Sequence, residues 1–366
     1  MAFSGAVLRE SAGRLAIESL DLRNVAAGDV IVRVRASSLC HTDLEAITGA
    51  LGTPLPFVPG HEAAGTVEWV GADVRQVQPG DHVVLSWNPF CGSCYFCARQ
   101  QPIVCGQYRQ MAARSFHFDG TPRVFASAGP VHQLMYAGSF AEMVVVTEAC
   151  AVKIPRELPF DIACLIGCGV MTGVGAVLNI AKVPAGARVA VIGCGAVGLS
   201  AIQGARLAGA SMIAAIDRVP GKIAFSMQFG ATLGLVADGS VVESSLQATD
   251  GIGFDFVIES AGSESAFQTS LDILRPGGQV VWLGKLPLSQ RLSLRWGSLM
   301  GERKIHRSSY GGANPGHDFP LLAAKYLSGD LHLDPYITGR IGLAQVNEGL
   351  QQLRDGLAIR TVIEFP

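Results

Sequence analysis

One stretch of the chain limits its fold more than any other. The apolar run Val189–Ile192 is followed at once by Gly193–Gly198, which reads G-C-G-A-V-G. The apolar run predicts a buried strand, Ala196–Ala208 has the length of a helix, and Ser211–Asp217 predicts a second strand. A strand, a glycine turn, a helix and a strand in this order predict a βαβ unit with two parallel strands.

The same alternation continues beyond this unit. Pro220–Phe229 predicts a helix with proline in its first turn. Strands are predicted at Phe254–Ser260 and Gln279–Lys285, with a helix at Glu264–Leu274 between them. We therefore predict an α/β region with a doubly wound parallel sheet.

The first part of the chain has a different pattern. Short apolar runs between glycine and proline turns predict strands at Val30–Ala36, Ala64–Val70 and His82–Ser86. A further strand is predicted at Gly138–Val146, and residues 106–137 are expected to be irregular. This region should form a β-rich lobe.

A chain of 366 residues is too long for one ordinary core, so two domains are predicted. Residues 1–169 form the β-rich domain, 170–309 form the α/β domain, and 310–366 return to the first.

Charge and hydropathy exclude several classes of function. A net charge of -2 and a pI near 6.4 provide no basic surface for nucleic acid. The N-terminus lacks the pattern of a signal peptide, so a cytoplasmic location is expected. The uncharged stretch Ile162–Ala181 is about long enough to span a bilayer, but buried elements of an α/β core have the same pattern, and no membrane association is predicted.

A cluster of cysteines is the strongest local signal for a metal. It reads C-x2-C-x2-C-x7-C and comprises Cys91, Cys94, Cys97 and Cys105. Four thiolates from one loop can surround a zinc ion and leave no open position, which is typical of a structural site. The first three cysteines also fit the spacing of an iron–sulfur cluster, but the fourth does not, and zinc is favoured.

Three more residues are candidate ligands of a second metal. Cys40, His61 and Cys168 would provide two sulfurs and one nitrogen, and three protein ligands leave a fourth position for water or substrate. Spacing alone does not bring Cys168 to the other two. A cysteine in an apolar segment is usually a small core residue, and a lone histidine is usually a hydrogen-bonded polar group.

The glycine run Gly193–Gly198 predicts a dinucleotide site. Gly193, Gly195, Val197 and Gly198 lie where a strand meets a helix, so the backbone can approach a pyrophosphate at the helix N-terminus. Asp217 ends the next strand and should accept hydrogen bonds from the adenosine ribose, which favours NAD over NADP. Arg218 follows it, and an arginine there could instead accommodate the 2′-phosphate of NADP.

Several segments together resemble the zinc-containing alcohol dehydrogenases of the medium-chain dehydrogenase/reductase family. They are Cys40–Asp43 (C-H-T-D), residues 60–74 (G-H-E-x2-G-x5-G-x2-V), the cysteine cluster, Gly138–Phe140, and Gly167–Ala176 (G-C-G-V-x-T-G-x-G-A). They follow one another along the chain in the same order as in the family. The resemblance covers essentially the whole chain. It implies a GroES-like β-rich catalytic domain, a Rossmann cofactor domain, two zinc ions per subunit and NAD. The longer, mostly dimeric branch is the more similar one, so a homodimer is expected.

The resemblance assigns roles around the metal. It implies that Cys40, His61 and Cys168 bind the catalytic zinc, and that Asp43 orients the histidine. Glu62 matches a carboxylate close behind the metal, where it could enter the metal's ligand set for a time.

The resemblance also implies a path for the proton and contacts to the cofactor. Thr42 matches the residue that bonds the reacting oxygen and passes on its proton. Family members end this relay at a histidine, and this chain has Glu45 there, so a carboxylate relay is a hypothesis. His41, Lys222 and Arg360 match residues that bind the cofactor's phosphates or adenosine ribose, and His41 replaces the usual arginine.

Two substrate classes remain open. Trp87, Leu134, Met135, Leu286 and Ser309 match family positions near the substrate, and they predict an apolar pocket for a medium-chain, allylic or aryl primary alcohol and its aldehyde. Each of these side chains could equally belong to an ordinary core.

The alternative substrate is a thiol adduct of formaldehyde. The glutathione-using branch carries acidic residues shortly after its C-H-T-D segment, whereas this chain has Gly49–Gly52 there, which argues against glutathione but not against another thiol. A non-catalytic relative is a third interpretation. Such relatives tend to lose the catalytic ligands, which this chain retains.

Overall fold

The computed structural model describes residues 2–111, 116–117 and 119–366. The chain divides into two compact units. One contains residues 1–168 and 314–366, and the other contains residues 169–313.

The N-terminal part of the first unit is built mainly from strands. Its strands are β1 (Ala2–Val7), β2 (Ala16–Leu22), β3 (Asp29–Ser38), β4 (Phe57–Val58), β5 (Glu62–Val70), β6 (His82–Leu85), β7 (Val124–Ala126), β8 (Gly129–Gln133), β9 (Met143–Thr147) and β10 (Ala151–Lys153). Its helices are α1 (His41–Ile47), α2 (Gly106–Met111) and α3 (Phe160–Leu165).

The second unit alternates strands and helices as predicted. Its strands are β11 (Arg188–Ile192), β12 (Met212–Asp217), β13 (Leu233–Val236), β14 (Phe254–Glu259), β15 (Leu274–Trp282) and β16 (Lys304–Arg307). Its helices are α4 (Met171–Gly175), α5 (Ala196–Leu207), α6 (Pro220–Ser226), α7 (Val241–Ala248) and α8 (Glu264–Asp272).

The C-terminal segment completes the first unit. It contains α9 (Pro315–Leu327), β17 (Ile337–Ile341), α10 (Val346–Arg354) and β18 (Arg360–Glu364). Strand β18 inserts between β3 and β17 in a seven-stranded sheet of order β10-β6-β5-β3-β18-β17, and β9 also pairs with β3. The end of the chain is therefore part of the same sheet as residues 29–38.

Strand β3 lies at the centre of that sheet, and its burial alternates along the strand. Val30, Val32 and Val34 are fully buried, whereas the residues between them are partly exposed. One face of the strand therefore packs on a core that includes Phe57, and the strand pairs with β5, β9 and β18.

The sheet of the second unit has the order β13-β12-β11-β14-β15-β16, and all its strand pairs are parallel. Val189, Ala190 and Val191 in β11 are fully buried, as expected of a strand covered on both faces. The order reverses at β11 and β14, which is where doubly wound folds bind ligands.

Three predictions from the sequence differ from the structure. The strand predicted at Gln279–Lys285 is observed at Leu274–Trp282, so it begins and ends earlier than expected. The strand predicted at Gly138–Val146 begins only at Met143. Gly138 has a left-handed φ of +58°, and the N–H groups of Ser139 and Phe140 donate hydrogen bonds to the backbone oxygens of Gly60 and Pro59. The region 106–137, expected to be irregular, contains α2, β7 and β8. Residues 112–115 and 118 of that region lie outside the described residues.

One helix, among the residues described, is long and apolar enough to cross a membrane by length and composition. Phe160–Ala181 has 22 residues and a mean hydropathy of 1.9, and it contains α3, α4 and two π-helical stretches. However, 83% of its apolar window is buried within the protein, and a buried core helix has the same composition.

Candidate metal and dinucleotide sites

Strand pairing brings the first two candidate ligands together. In the antiparallel pair of β3 and β5, Ser38 lies opposite Glu62. Cys40 follows β3 and caps the N-terminus of α1, and His61 immediately precedes β5. Both ligands therefore lie at the same end of the sheet.

The third ligand comes from the helix that follows β10. Cys168 lies in the π-helical stretch Ile166–Val170, and such stretches often occur at functional sites. A side chain at Gly167 would place its Cβ 2.8 Å from the backbone oxygen of Leu85. Glycine therefore lets the stretch pack directly on β6.

These residues form a cluster suited to zinc. Donor atoms of Cys40, His61, Glu62 and Cys168 lie within 4.8 Å of one another, and the first three residues are buried. His61 Nε2 is buried and has no hydrogen-bond partner among the described residues. A buried polar nitrogen without a partner costs free energy, which a metal bond would offset. Two sulfurs and an imidazole are donors that zinc prefers, so these residues fit the ion.

Asp43 connects the two sides of this cluster. Its Oδ1 lies 3.1 Å from His61 Nδ1 and accepts a hydrogen bond from the Gly60 N–H at 3.0 Å. Its Oδ2 accepts a hydrogen bond from the Cys40 N–H at 2.9 Å. The buried carboxylate therefore fixes the imidazole with Nε2 towards the cluster and holds both ligand segments in place.

Glu62 and Arg360 form a buried ion pair behind the ligands. Arg360 Nη2 lies 3.1 Å from Glu62 Oε1, and both side chains are almost fully buried. One carboxylate oxygen of Glu62 belongs to the ligand cluster, and Oε2 has no hydrogen-bond partner among the described residues. Burial raises the pKa of Glu62 to about 8, and the charge of Arg360 opposes this rise. The second oxygen of Glu62 is thus available to a metal.

Electrostatics around the ligands favour a thiolate. The Cys168 thiol donates a hydrogen bond to Cys40, and with the charge of His61 this holds the pKa of Cys40 well below its ordinary value although burial opposes it. Burial lowers the pKa of His61, but the charges of Asp43 and Cys40 outweigh it and the pKa is raised. A metal ion would replace the proton on His61 and stabilise the thiolates.

Three residues with predicted roles lie on α1. His41 is exposed, and Thr42 and Glu45 are half-buried. Thr42 and Glu45 are three positions apart in the helix, so their side chains lie on the same face. The relay hypothesis requires this arrangement.

The second metal site has the geometry of a tetrahedral sulfur cage. The Sγ atom of Cys91 lies 4.0 Å from that of Cys97 and 3.7 Å from that of Cys105, and Cys94 and Cys97 are 3.6 Å apart. A zinc–sulfur bond of about 2.3 Å places tetrahedral ligands about 3.8 Å apart. The four cysteines therefore fit zinc without rearrangement.

Neighbouring groups lower the pKa of one of these thiols and raise that of another. Hydrogen bonds from the N–H groups of Cys97 and Gly106 lower the pKa of Cys94 to about 6. Burial and the neighbouring Cys94 raise the pKa of Cys97 to about 12. Four thiolates at this spacing need a cation to be stable together.

The glycine cradle lies at the carboxyl end of β11. Gly193 has a left-handed φ of +92°, and a Cβ at Gly198 would lie 1.7 Å from the Gly193 oxygen. Gly195, the N-cap of α5, is exposed, and a Cβ there would contact nothing within 4 Å. Open space over the first turn of a twelve-residue helix fits the pyrophosphate of a dinucleotide.

Asp217 lies beside this cradle, at the end of β12. Its Oδ2 accepts a hydrogen bond from the Cys194 N–H at 2.7 Å, and its Oδ1 accepts one from the Val219 N–H at 3.0 Å. Arg218 is exposed, and Lys222 on α6 is half-buried. The carboxylate is therefore fixed where an adenosine ribose would lie in this fold.

The predicted pocket residues are distributed over both units. Leu134 is a core residue with 2% exposure, and Met135 packs against the same core. Leu286 packs against the core of the second unit, Trp87 is buried and Ser309 is exposed.

The sequence analysis missed two features near these sites. Arg360 was expected to bind phosphate only, and its pairing with Glu62 was not foreseen. Glu259, a buried glutamate at the carboxyl end of β14, was not selected at all. A charged residue that ends an apolar predicted strand was the available signal, because ligands bind at that edge of such sheets.

Two known domain families match the chain. The model of the alcohol dehydrogenase GroES-like domain matches residues 26–156, and the model of the zinc-binding dehydrogenase domain matches residues 196–328. The first includes His61 and the cysteine cluster, and the second includes Gly198 and Asp217.

Individual relatives cover almost the whole chain. An S-(hydroxymethyl)glutathione dehydrogenase of Saccharomyces cerevisiae is 36% identical over 98% of this chain and 95% of its own. A class-3 alcohol dehydrogenase of Cereibacter sphaeroides is 35% identical over 98% and 99%. The crystal structure of benzyl alcohol dehydrogenase from Acinetobacter calcoaceticus superimposes with a TM-score of 0.94 at 28% identity and covers 100% of both chains. This protein thus belongs to the zinc-containing alcohol dehydrogenases of the medium-chain dehydrogenase/reductase family.

Proposed function

We propose that this protein oxidises a primary alcohol to its aldehyde, with hydride transfer to NAD, at a site formed by Cys40, His61 and Cys168. The observation that carries this proposal is the orphaned Nε2 of His61, buried among sulfur donors and oriented by Asp43. Zinc held there would act as a Lewis acid towards the substrate oxygen.

The chain's own residues then move the proton. We expect the Thr42 hydroxyl to accept a hydrogen bond from the substrate hydroxyl, since it follows the ligand Cys40 by two positions. Glu45, one helical turn further, is the proposed final acceptor. Glu45→Gln should change the limb of the pH–rate profile that reports this carboxylate. An unchanged profile would make Glu45 a bystander.

For the cofactor, we propose NAD rather than NADP. The fixed carboxylate of Asp217 offers oxygen acceptors to ribose hydroxyl groups, and it would repel a 2′-phosphate. Arg218, Lys222, Val197, His41 and Arg360 remain proposed contacts. A comparison of kcat/KM with NAD and with NADP tests this preference.

The proposed substrate is the S-hydroxymethyl adduct of formaldehyde with a low-molecular-weight thiol. Such an adduct is a hemithioacetal with a primary hydroxymethyl group, and its oxidation gives an S-formyl thioester in place of an aldehyde. The relative from Saccharomyces cerevisiae is named for an adduct of this type. Residues 49–56 (G-A-L-G-T-P-L-P) carry no charge, which favours a thiol without the charged groups of glutathione.

A benzylic alcohol is the second candidate. It is favoured by the similarity to benzyl alcohol dehydrogenase and by the exposed apolar Leu51 and Leu55. Formaldehyde oxidation should be assayed with and without a panel of thiols, beside benzyl, cinnamyl and linear alcohols. A thiol requirement supports the adduct, whereas a higher kcat/KM for benzyl alcohol than for any adduct selects the second candidate.

A homodimer and a cytoplasmic location are part of the proposal. Strand β16 forms the open edge of the second unit's sheet and is exposed along its whole length. Ile305 on this strand and the nearby Met300 and Trp296 are exposed apolar side chains. An open edge with apolar neighbours is suited to pairing with a second copy. We also retain 1–169, 170–309 and 310–366 as the proposed domain boundaries.

A further inference from the structure

A buried carboxylate in the second unit has no part in the reaction described above. Glu259 ends β14 and has 0% exposure. Its Oε1 accepts two hydrogen bonds, each 2.7 Å long, from the N–H groups of Ala261 and Gly262. Its Oε2 is buried without a hydrogen-bond partner among the described residues. The side chain is therefore held in one orientation beneath the carboxyl edge of the sheet.

This carboxylate adjoins the glycine cradle. Glu259 lies opposite Ile192 in the pair of β14 and β11. The next residue, Ser260, has its Oγ 3.0 Å from the backbone oxygens of both Ile192 and Gly193. The turn fixed by Glu259 is thus the neighbour of the turn that would receive the pyrophosphate.

The sheet order indicates which half of the dinucleotide faces Glu259. Strands β11 to β13 lie on one side of the reversal, and Asp217 at the end of β12 marks the adenosine half. Strands β14 to β16 form the other half of the fold. Since each half of such a sheet binds one mononucleotide, Glu259 lies on the nicotinamide side.

The two redox forms of the cofactor differ in charge on that side. The nicotinamide ring is a cation in NAD and is neutral in NADH. We propose that the buried carboxylate of Glu259 stabilises the cationic ring, so that this residue sets the preference of the protein for NAD over NADH. This proposal rests on the proposed dinucleotide site and adds a residue that distinguishes the two redox forms of the cofactor.

The groups around Glu259 determine when it is charged. Burial raises its pKa to about 7, and the N–H groups of Gly262, Ala261 and Gly284 oppose this rise. The charge of Arg307, on β16, opposes it as well.

The other elements packed around Glu259 add little charge. Val191 and Ile192 on β11 carry none, and Lys285 in the loop after β15 is exposed. The carboxyl group therefore changes its charge near neutral pH, and the preference for NAD should follow.

Calorimetry at pH 6.0 and 8.5 tests this inference by measuring the dissociation constants of the zinc-loaded, full-length protein for NAD and for NADH. Because the two cofactors share all their other groups, the binding free energy of those groups cancels in the ratio of the two affinities. At pH 8.5, Glu259→Gln should lower the preference for NAD about tenfold, because a unit charge near the ring is lost. At pH 6.0 the wild type and the variant should nearly agree, since the Glu259 carboxyl group is then mostly neutral and the amide of the variant is neutral at any pH.

A second variant tests the sign of the effect. Arg307→Gln removes an opposing charge and should raise the preference for NAD at pH 8.5. Glu243→Gln removes the same charge from an exposed position of the second unit and should behave as wild type. An electrostatic role requires opposite shifts from Glu259 and Arg307, which a purely structural role of Glu259 does not produce.

ADP-ribose separates this inference from the dinucleotide assignment, because it lacks the nicotinamide ring. Its affinity should be similar in the wild type and in Glu259→Gln. An equal loss for ADP-ribose, NAD and NADH, or an unchanged NAD preference at pH 8.5, overturns the role of Glu259. A wild-type protein that binds none of the three overturns the dinucleotide site itself.

Discussion

At the scale of single residues, Asp43 holds the two ligand segments of the metal site in place. Its two oxygens hold the Cys40 N–H, the Gly60 N–H and the imidazole of His61. In Asp43→Asn, one acceptor becomes a donor and the negative charge behind the imidazole is lost. We expect the zinc affinity of this site and kcat/KM to fall by about 10- to 100-fold, measured by zinc retention against a chelator and by steady-state kinetics.

The exposed Asp73 offers a matched control in the same unit, and Asp73→Asn should retain wild-type zinc and activity. The cysteine cluster should keep its zinc in both variants. Wild-type zinc retention and kcat/KM in Asp43→Asn would contradict the role given to this carboxylate.

The raised pKa of Glu259 predicts that the free energy of unfolding depends on pH. Its pKa is raised from 4.5 to about 7, so its stabilising contribution is fully present below pH 4.5 and is lost as the pH rises through about 7. Glu259→Gln does not titrate, so between these pH values the wild type should lose about 3 kcal/mol of unfolding free energy relative to the variant. Urea unfolding followed by circular dichroism, at pH 5 and at pH 8, measures the difference. An equal change in the free energy of unfolding between pH 5 and pH 8 for the wild type and for Glu259→Gln would refute this prediction.

At the scale of elements, the turn between β4 and β5 presents His61 to the cluster. Gly60 has a left-handed φ of +93°, and a Cβ there would lie 2.5 Å from Phe140 Cδ1 and 2.7 Å from the Phe140 nitrogen. Gly60→Ala should therefore lower the free energy of unfolding by more than about 2 kcal/mol, through the left-handed backbone and the clash.

Thermal or urea unfolding of Gly60→Ala, compared with a second variant, Gly28→Ala, measures this loss of stability. At Gly28 an added Cβ would contact nothing within 4 Å, so Gly28→Ala is the control and should change the free energy by less than about 1 kcal/mol. Similar stabilities of the two variants would show that the turn tolerates a side chain.

The cysteine cluster organises a loop with little regular structure of its own. Between Cys91 and Cys105 the loop contains two three-residue 3₁₀ turns. Cys105→Ser should release one zinc per chain and expose the loop to protease, while the zinc at His61 is retained. Elemental analysis and limited proteolysis measure these effects.

Ala98→Ser, at an exposed position of the same loop, is the control and should keep two zinc ions and a protected loop. Loss of both zinc ions in Cys105→Ser would mean that the two sites are not independent.

At the scale of the whole molecule, the open edge of the second unit's sheet predicts self-association. Ile305 is 40% exposed on β16. Ile305→Lys places a charge on this edge and should shift the solution mass from that of a dimer towards the single-chain 38.4 kDa. Light scattering coupled to size-exclusion chromatography measures the mass. Ile305→Val is the control, and identical masses for wild type and Ile305→Lys would place the interface elsewhere or exclude a dimer.

The α/β architecture was predictable because its signals are local. The apolar run of β11, the glycines after it and the helix α5 are adjacent in sequence, so their spacing alone limits their arrangement. The region after Cys105 was harder to predict, because short strands such as β7 and β8 have little sequence pattern and form only by pairing with other strands.

The sequence by itself determined the sites whose residues are neighbours in the chain. Cys91, Cys94, Cys97 and Cys105 can converge on one ion because a short loop limits their separation, and the glycine cradle is fixed by its own turn. Tertiary structure decided the rest. Cys168 reaches His61 only through helix packing, and Arg360 reaches Glu62 across 298 positions because β18 pairs with β3. The physical reason is that spacing constrains nearby residues, whereas strand pairing and core packing determine which distant side chains meet.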